Sequence, residues 1–492
     1  RLACWKQFKA LEPPSWDGAE GCYAIAMTAM NETPHPGLTI DVVGEDLDQQ
    51  GRGLARWNGW VITVPQLLPG EEAKVKVQQR QRKMWLARRV ATIASSPHAR
   101  RPPCILASDC GGCSLQHLSV EAQNSWKQER LANTLSRIGQ LDPDVNALVS
   151  PDQESLGYRN RALIPIRRDG PKVRLGYYRR GSHRIVNLNH CPVLDPRLDA
   201  LIAPIKQDLE ATRWPMDSDL QGEPGLRHLG LRIGIRTGEI LITLISATES
   251  LKGVRALSAE WMRRWPELKG VTLNLQPKRS NAVFGDRTIC LQGQDAIEER
   301  FCDLSLELGT TTFFQVNTPR AERVVEQIRD WLTRASPPQR LIDAYCGIGT
   351  IALPLAAAGH RVTGLELSSA SIRHAERNAL RNGIKTTRFL AGDVARHLRE
   401  LLPNHDALVV DPPRKGLDAA VLAMVLDHPP GKLVYLSCDP ATLARDLRQL
   451  AGDKGPYRIE RVQPMDFFPQ TSHLECLVLM TRLSCATPPG TV

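Results

Sequence analysis

"LIDAYCGIGTIALPLA", Leu341–Ala356, decides the fold. An apolar run leads into a turn carrying Gly347 and Gly349, and a second apolar run follows with helical character. This is a strand, a glycine turn and a helix. The third glycine of a full dinucleotide fingerprint is missing, so the loop suits a nucleoside without a pyrophosphate. Working outward, strand-like runs alternate with helical stretches: "HRVTGLEL" (360–367), "TRFLAGD" (387–393), "DALVVDPPR" (406–414), "KLVYLSC" (432–438) and "HLECLVLM" (473–480). That alternation predicts an α/β domain with a mostly parallel, doubly wound sheet. In such sheets ligands bind outside the carboxyl ends of the strands. Glu366 ends the second strand, where a carboxylate can accept both hydroxyls of a ribose. Asp393 ends the third, within reach of an adenine edge, and Asp411 ends the fourth ahead of two prolines that set the turn.

This ordered set resembles the S-adenosylmethionine site of class I methyltransferases. Cys438 ends the next strand, in "VYLSCDPATL" (434–443), and so faces the same crevice. A thiolate there suggests a specific chemistry. Carbon-5 of uracil is a weak nucleophile, but a thiolate added at carbon-6 makes it nucleophilic towards a sulfonium methyl. A carboxylate must then remove the carbon-5 proton. Glu475, opening a strand at the sheet's end, is the expected base. Singly, a buried core thiol and a solvated strand-edge charge are the commoner states of such residues; the joint arrangement favours catalysis. An Asp-Pro-Pro motif also occurs where exocyclic amines are methylated, but there an aromatic residue follows and here Arg414 does. Cys346 and Cys476 read as packing.

Residues 37–97 alternate apolar and polar positions between turn signals, which predicts a small β-barrel. Lys74, Lys76, Arg80, Arg82, Lys83, Arg88 and Arg89 fall in one stretch, near Trp57, Trp60 and Trp85. Such a face suits phosphate contacts and base stacking, and equally a solubilising surface over core tryptophans. The next stretch places Cys104, Cys110 and Cys113 at C-x5-C-x2-C spacing, with Cys191 as a distant fourth thiol and His190 as a competing ligand. Four thiolates suit zinc or a four-iron cluster. A helical stretch follows from about 119 to 139, then β-rich sequence over 155–310, interrupted by a helix at 195–210.

The motifs "TFFQVN" (312–317), "DAYCGIGT" (343–350), "DPPRKG" (411–416), "SCDP" (437–440) and "HLE" (473–475) occur in the order seen in the RNA uracil-5-methyltransferases, which this chain resembles from about residue 37 to 482. The resemblance implies Cys438 as nucleophile and Glu475 as base. It implies cofactor contacts at Gln315, Tyr345, Gly347, Gly349, Thr350, Glu366, Asp393 and Asp411. Phe313 falls where an aromatic ring lies against the flipped base, and Arg414 is assigned with it to substrate. Many members carry a [4Fe-4S] cluster at positions matching Cys104, Cys110, Cys113 and Cys191. Residues 37–97 resemble the TRAM barrel, including the "LPGE" turn at 68–71. Barrel plus cluster implies 23S ribosomal RNA as substrate, members acting on transfer RNA being shorter. Transfer RNA, cytosine carbon-5, an exocyclic amine and a silent RNA-binding role are the alternatives.

The expected layout is an extension at 1–34, a TRAM barrel at 35–98, a central domain with the cluster at 99–310, and a Rossmann-like methyltransferase domain at 311–485. The 492 residues carry 63 Lys and Arg against 53 Asp and Glu, a net charge of +10 that suits a polyanionic partner. No apolar stretch reaches the roughly 18 residues needed to cross a bilayer. The twelve cysteines lack the pattern of a secreted disulfide framework, so a cytoplasmic monomer is expected. Met27 or Met30 is the expected natural start, and the tail after Leu483 is expected to be loose.

Overall fold

The structure, a computed structural model, describes residues 32–150, 155–333 and 339–484. The expectations about the first residues and the tail lie outside these. The chain forms two compact units that divide after Ala99.

The first unit is the barrel. Strands β1 (Thr39–Leu47), β2 (Gly53–Trp57), β3 (Trp60–Val64), β4 (Glu72–Gln81) and β5 (Met84–Ala94) close in the order β1-β2-β3-β5-β4. Alternation does the work: Ile40, Val42, Val75 and Val77 point into a core with Ile62, Val64 and Trp85, while the intervening lysines point out. Gly44 and Gly53 are required where the turn 67–68 crosses the barrel. A Cβ at Gly44 would lie 2.1 Å from the Leu68 carbonyl oxygen. The two readings of the tryptophans divide between them. Trp85 is core, whereas Trp57 and Trp60 are only partly buried, and the Arg80 guanidinium lies over the Trp60 ring at 5.6 Å.

The second unit starts with the cysteine loop and helix α1 (Val120–Thr134), capped by Ser119 and continued by one wide turn over Leu135–Gly139. A six-stranded sheet follows: β6 (Arg161–Asp169), β7 (Lys172–Leu175), β8 (Leu226–Ile233), β9 (Ile240–Ser246), β10 (Leu268–Leu275) and β11 (Arg287–Gly293), ordered β11-β10-β9-β8-β6-β7. Helix α2 (Pro196–Ala211) starts at the Asp195 cap with proline in its first turn, and α3 (Val254–Arg264) was not legible as a separate helix. A hairpin, β12 (Ala296–Phe301) and β13 (Leu304–Gly309), leads into α4 (Thr318–Thr333).

The last sheet is the predicted α/β layer. Its strands are β14 (Arg340–Ala344), β15 (Arg361–Glu366), β16 (Thr387–Ala391), β17 (Ala407–Val410), β18 (Lys432–Ser437), β19 (Tyr457–Met465) and β20 (Glu475–Arg482). The order is β16-β15-β14-β17-β18-β20-β19, with the first five parallel and β20 and β19 antiparallel. Helices α5 (Ala352–Ala357), α6 (Ser369–Arg381), α7 (Val394–Leu401), α8 (Ala419–Asp427) and α9 (Pro440–Ala451) connect them. Helix α1 contributes Leu131 and Leu135 to this sheet's core, beside Leu443 and Tyr435. Order reverses about β14, with β15 on one side and β17 on the other, and the crevice opens there.

Candidate active site

Four predicted residues, and Asp343, which the sequence did not single out, stand at the carboxyl edge of one sheet. Asp343 closes β14 at the crevice, Glu366 closes β15, and Asp411, Cys438 and Glu475 lie at the same edge. Antiparallel pairing sets Ser437 against Cys476. One residue further, Cys438 stands opposite Glu475 on the adjoining strand.

Glu366 works locally: its carboxylate accepts from the Gly347 amide at 3.2 Å and the Ser368 amide at 2.9 Å. That ties the strand end to the glycine turn. The turn is sharp, with Tyr345 at φ 69°, Gly347 at 56° and Gly349 at 88°. Only Gly347 and Gly349 reach that region without side-chain strain, and nothing lies within 4 Å of where a Gly347 Cβ would sit. The turn therefore leaves open space for a ligand. Asp343 is buried, with neither carboxylate oxygen in a hydrogen bond of ordinary geometry. Burial first, then the Asp411 charge, pushes its pKa well above the carboxylate range, while the Ala352 amide on α5 pulls it back. A buried carboxylate approached only loosely by the Ala352 amide, beside an open glycine turn, fits a ligand bringing hydroxyl or ammonium donors. Asp393 is exposed and caps α7, accepting from the Arg396 amide at 3.0 Å. Thr350 and Gln315 are half-buried, and the Gln315 carbonyl accepts from Asn160 at 2.8 Å.

As anions, Asp411 and Glu475 would repel each other and a Cys438 thiolate. Burial pushes the Asp411 carboxyl up to about 7. Glu475, buried, is driven well above the usual carboxylate range by desolvation and then by Asp411, with Arg414 opposing. The half-buried Cys438 thiol is pushed up to about 12 by burial, then by Glu475 and Asp411, and Arg414 again opposes. The site is thus electron-rich and starved of cations, with the exposed Arg414 as its nearby positive charge. Cys346 and Cys476 are buried.

Phe313 is 63 % exposed, yet its loop is held on both sides. Buried Arg232 donates to the Gly309 carbonyl at 2.7 Å and the Thr312 hydroxyl at 2.9 Å, and also to the Thr312 carbonyl, which Arg161 reaches at 3.1 Å. Phe314 next to it is buried edge-on against Phe301, centroids 5.4 Å apart. The fixed loop thus presents a bare aromatic ring. These two arginines were missed by sequence reasoning; inside β-rich sequence, "YRNR" and "LRIG" carry no signal that a guanidinium points inward.

The four thiols Cys104, Cys110, Cys113 and Cys191 are neighbours. Besides burial, which dominates, a Cys104 thiolate would raise the pKa of Cys110, thiolates at Cys110 and Cys104 that of Cys113, and all three that of Cys191. Arg180 wraps their loop, donating to the Ala107 and Cys110 carbonyls at 3.3 Å and to that of Cys113. Gly111 is needed for this wrapping, since a Cβ would stand 2.8 Å from the Tyr178 carbonyl oxygen. His190 is turned to Asp199 instead. Among the described residues no group of three or more His, Cys, Asp or Glu converges as a site for a single metal ion. The four thiols are close enough to act on one another electrostatically, and four thiolates are the ligand set of an iron–sulfur cluster. Among the described residues no helix is long and apolar enough to cross a membrane.

Known proteins resemble this chain along most of its length. The family model for tRNA (uracil-5-)-methyltransferases matches residues 292–483. An uncharacterized RNA methyltransferase of Parasynechococcus marenigrum is 56 % identical over 454 residues, 92 % of this chain and 97 % of that protein. One from Synechocystis is 42 % identical, covering 91 % and 96 %. Among solved structures, the tRNA (uracil-54, C5)-methyltransferase of Pyrococcus abyssi in complex with S-adenosyl-L-homocysteine is 26 % identical. It covers 90 % of this chain and 99 % of its own, with a TM-score of 0.72. That protein is a tRNA methyltransferase, and nearly its whole length aligns with this chain.

Proposed function

Since this chain belongs to the RNA uracil-5-methyltransferase family and is an S-adenosylmethionine-dependent enzyme, we propose that it methylates carbon-5 of a uridine through a covalent bond from Cys438. The observation that carries this is the register of β18 and β20, which sets Cys438 against Glu475 with Asp411 beside them.

S-adenosylmethionine supplies an electrophilic methyl group on sulfur. Glu366, Asp343 and the Tyr345–Gly349 turn hold its ribose and amino-acid parts, with Gln315, Thr350 and Asp393 around them. In the unliganded site burial, and then Glu475 and Asp411, keep the thiol protonated. A cation beside Asp411 offsets their charge, so the thiol becomes acidic when the donor is present. The Cys438 thiolate adds to uracil carbon-6 and charge develops on the ring oxygen. Carbon-5 takes the methyl as its bond to the sulfonium sulfur breaks and S-adenosylhomocysteine is left as the neutral thioether; Glu475 then takes the carbon-5 proton, and the bond between Cys438 Sγ and carbon-6 breaks to return the thiolate. The base must leave its stack, which costs a few kcal/mol, and the Phe313 ring replaces the lost neighbour.

The [4Fe-4S] cluster is assigned to Cys104, Cys110, Cys113 and Cys191, where it ties the 104–113 loop to the central sheet. The barrel is assigned to salt-sensitive grip on RNA phosphates through its outward lysines and arginines. Barrel and cysteine loop together favour 23S ribosomal RNA as the substrate, and a cytoplasmic monomer as the working form. The second reading, transfer RNA, is favoured by the Pyrococcus abyssi protein. Mapping 5-methyluridine in both RNA pools of cells lacking the gene separates them: loss from ribosomal RNA supports the first, loss from transfer RNA the second. The chemistry is tested with RNA carrying 5-fluorouridine, which has no carbon-5 hydrogen to remove. A protein–RNA adduct that survives denaturing gels is expected, and its absence with otherwise active protein defeats the mechanism.

A further inference from the structure

The segment Asp466–Leu474 joins β19 to β20 and delivers the chain to Glu475. For a connection it is unusually enclosed: Asp466, Gln470, Thr471 and Ser472 are all buried. It is held almost entirely from outside its own sheet. Lys127 on α1, with no exposed surface, donates from Nζ to the Asp466 carboxylate at 2.7 Å and to the Phe468 carbonyl at 3.3 Å. Gln123, one turn earlier, donates to the Gln470 side-chain oxygen at 3.2 Å and accepts from the Gln470 amide at 3.1 Å. The cysteine loop adds two bonds: the Leu115 amide donates to the Gln470 carbonyl at 2.9 Å, and the Ser472 amide donates to the Ser114 hydroxyl at 3.0 Å.

A lysine on an otherwise polar helix, buried to this degree, is a costly way to gain stability. What it does provide is direction, because its ammonium fixes two points of one loop at once. We propose that Lys127 is a positioning residue for the base. Through Asp466 and Phe468, and with Gln123 on Gln470, it sets where Glu475 stands against Cys438. It touches neither RNA nor the methyl donor. The inference rests on the role proposed above for Glu475.

The order of bond changes gives a step-specific readout, since the carbon–sulfur bond forms before the proton leaves. Two variants are compared in the full chain: Lys127→Met with Asp466→Asn, which removes both charges, and Gln470→Gly. Gln470 has φ 70°, which glycine adopts freely, so the second variant removes side-chain bonds without backbone strain. Each is given S-adenosylmethionine and RNA with ordinary uridine or uridine deuterated at carbon-5. Expected is a fall in kcat of roughly tenfold to a hundredfold with little change in KM. A covalent protein–RNA adduct should also accumulate on denaturing gels, with an isotope effect on kcat absent from the wild type. If the double variant does not fold, as judged by circular dichroism, Gln470→Gly alone decides. Adduct formation that falls in step with turnover, or wild-type turnover with no adduct, overturns the proposal. The wild type with 5-fluorouridine RNA is the control: no adduct there defeats the proposed function instead.

Discussion

Cys438 and Glu475 occupy facing positions on adjacent antiparallel strands, one residue beyond the Ser437–Cys476 pair. Their spacing is therefore a property of sheet register, in which one slipped residue would turn Glu475 to the other face. Because the two groups act at different steps, their removal should look different. Cys438→Ala should form no adduct and lose turnover. Glu475→Gln should still add and take the methyl, then stall, with turnover down by roughly 10²–10⁴-fold and a methylated protein–RNA adduct visible by mass spectrometry.

Asp411 makes stability depend on pH. Folded, it keeps its proton to about pH 7; its ordinary value is 3.8. Between those values the folded protein holds a proton that the unfolded chain has lost, so stability falls as pH rises through the interval. At ~1.4 kcal/mol per pH unit the penalty is bounded near ~4 kcal/mol. Thermal melts without ligand should show Asp411→Asn more stable than wild type at pH 8 and little different at pH 4.

Phe313→Ala should leave the melting temperature unchanged, because the ring is exposed and its loop is held by Arg232 and Arg161. Losing a stacking partner worth ~1–3 kcal/mol should lower kcat/KM by roughly tenfold to a hundredfold on RNA. Equal activity of the variant on a uridine-containing loop would argue against stacking on this ring.

Gly364→Ala should destabilise by ~1–3 kcal/mol. A Cβ there would meet the Phe389 ring at 2.5 Å and the Cys346 sulfur at 2.8 Å. Since Cys346 sits inside the glycine turn, weaker binding of S-adenosylhomocysteine, measured by calorimetry, should accompany the lower melting temperature.

Cys113→Ser should reduce bound iron and sulfide from about four of each per chain in anaerobically purified protein. Iron content unchanged by this substitution, or zinc found in its place, would remove the cluster assignment.

Where the sequence was readable, a local rule forced the answer. Alternation along β1 and β4 announced the barrel, and the glycine pair with its flanking apolar runs announced the crevice. Asp411, Cys438 and Glu475 could be placed because each adjoins the end of a strand in a sheet whose ligand edge is known in advance. Lys127, Arg232 and Gln470 could not. A buried lysine has the same local signature as a solvated one, and only the approach of a segment more than three hundred residues away gives it a partner. Asp393 shows the reverse: its position marked it for a ligand, and the fold also uses it as a helix cap.

The barrel's closure limits how it can take hold of anything. With β4 returning to β1 the sheet closes on itself, and β5 beyond Leu86 is left paired on one side only, to β4. A partner that added a strand of its own would be confined to that stretch, so recognition falls mainly to outward side chains and loop tips. Substitutions among those positions can retune grip strength or salt tolerance while the hydrogen-bonded frame beneath stays as it is.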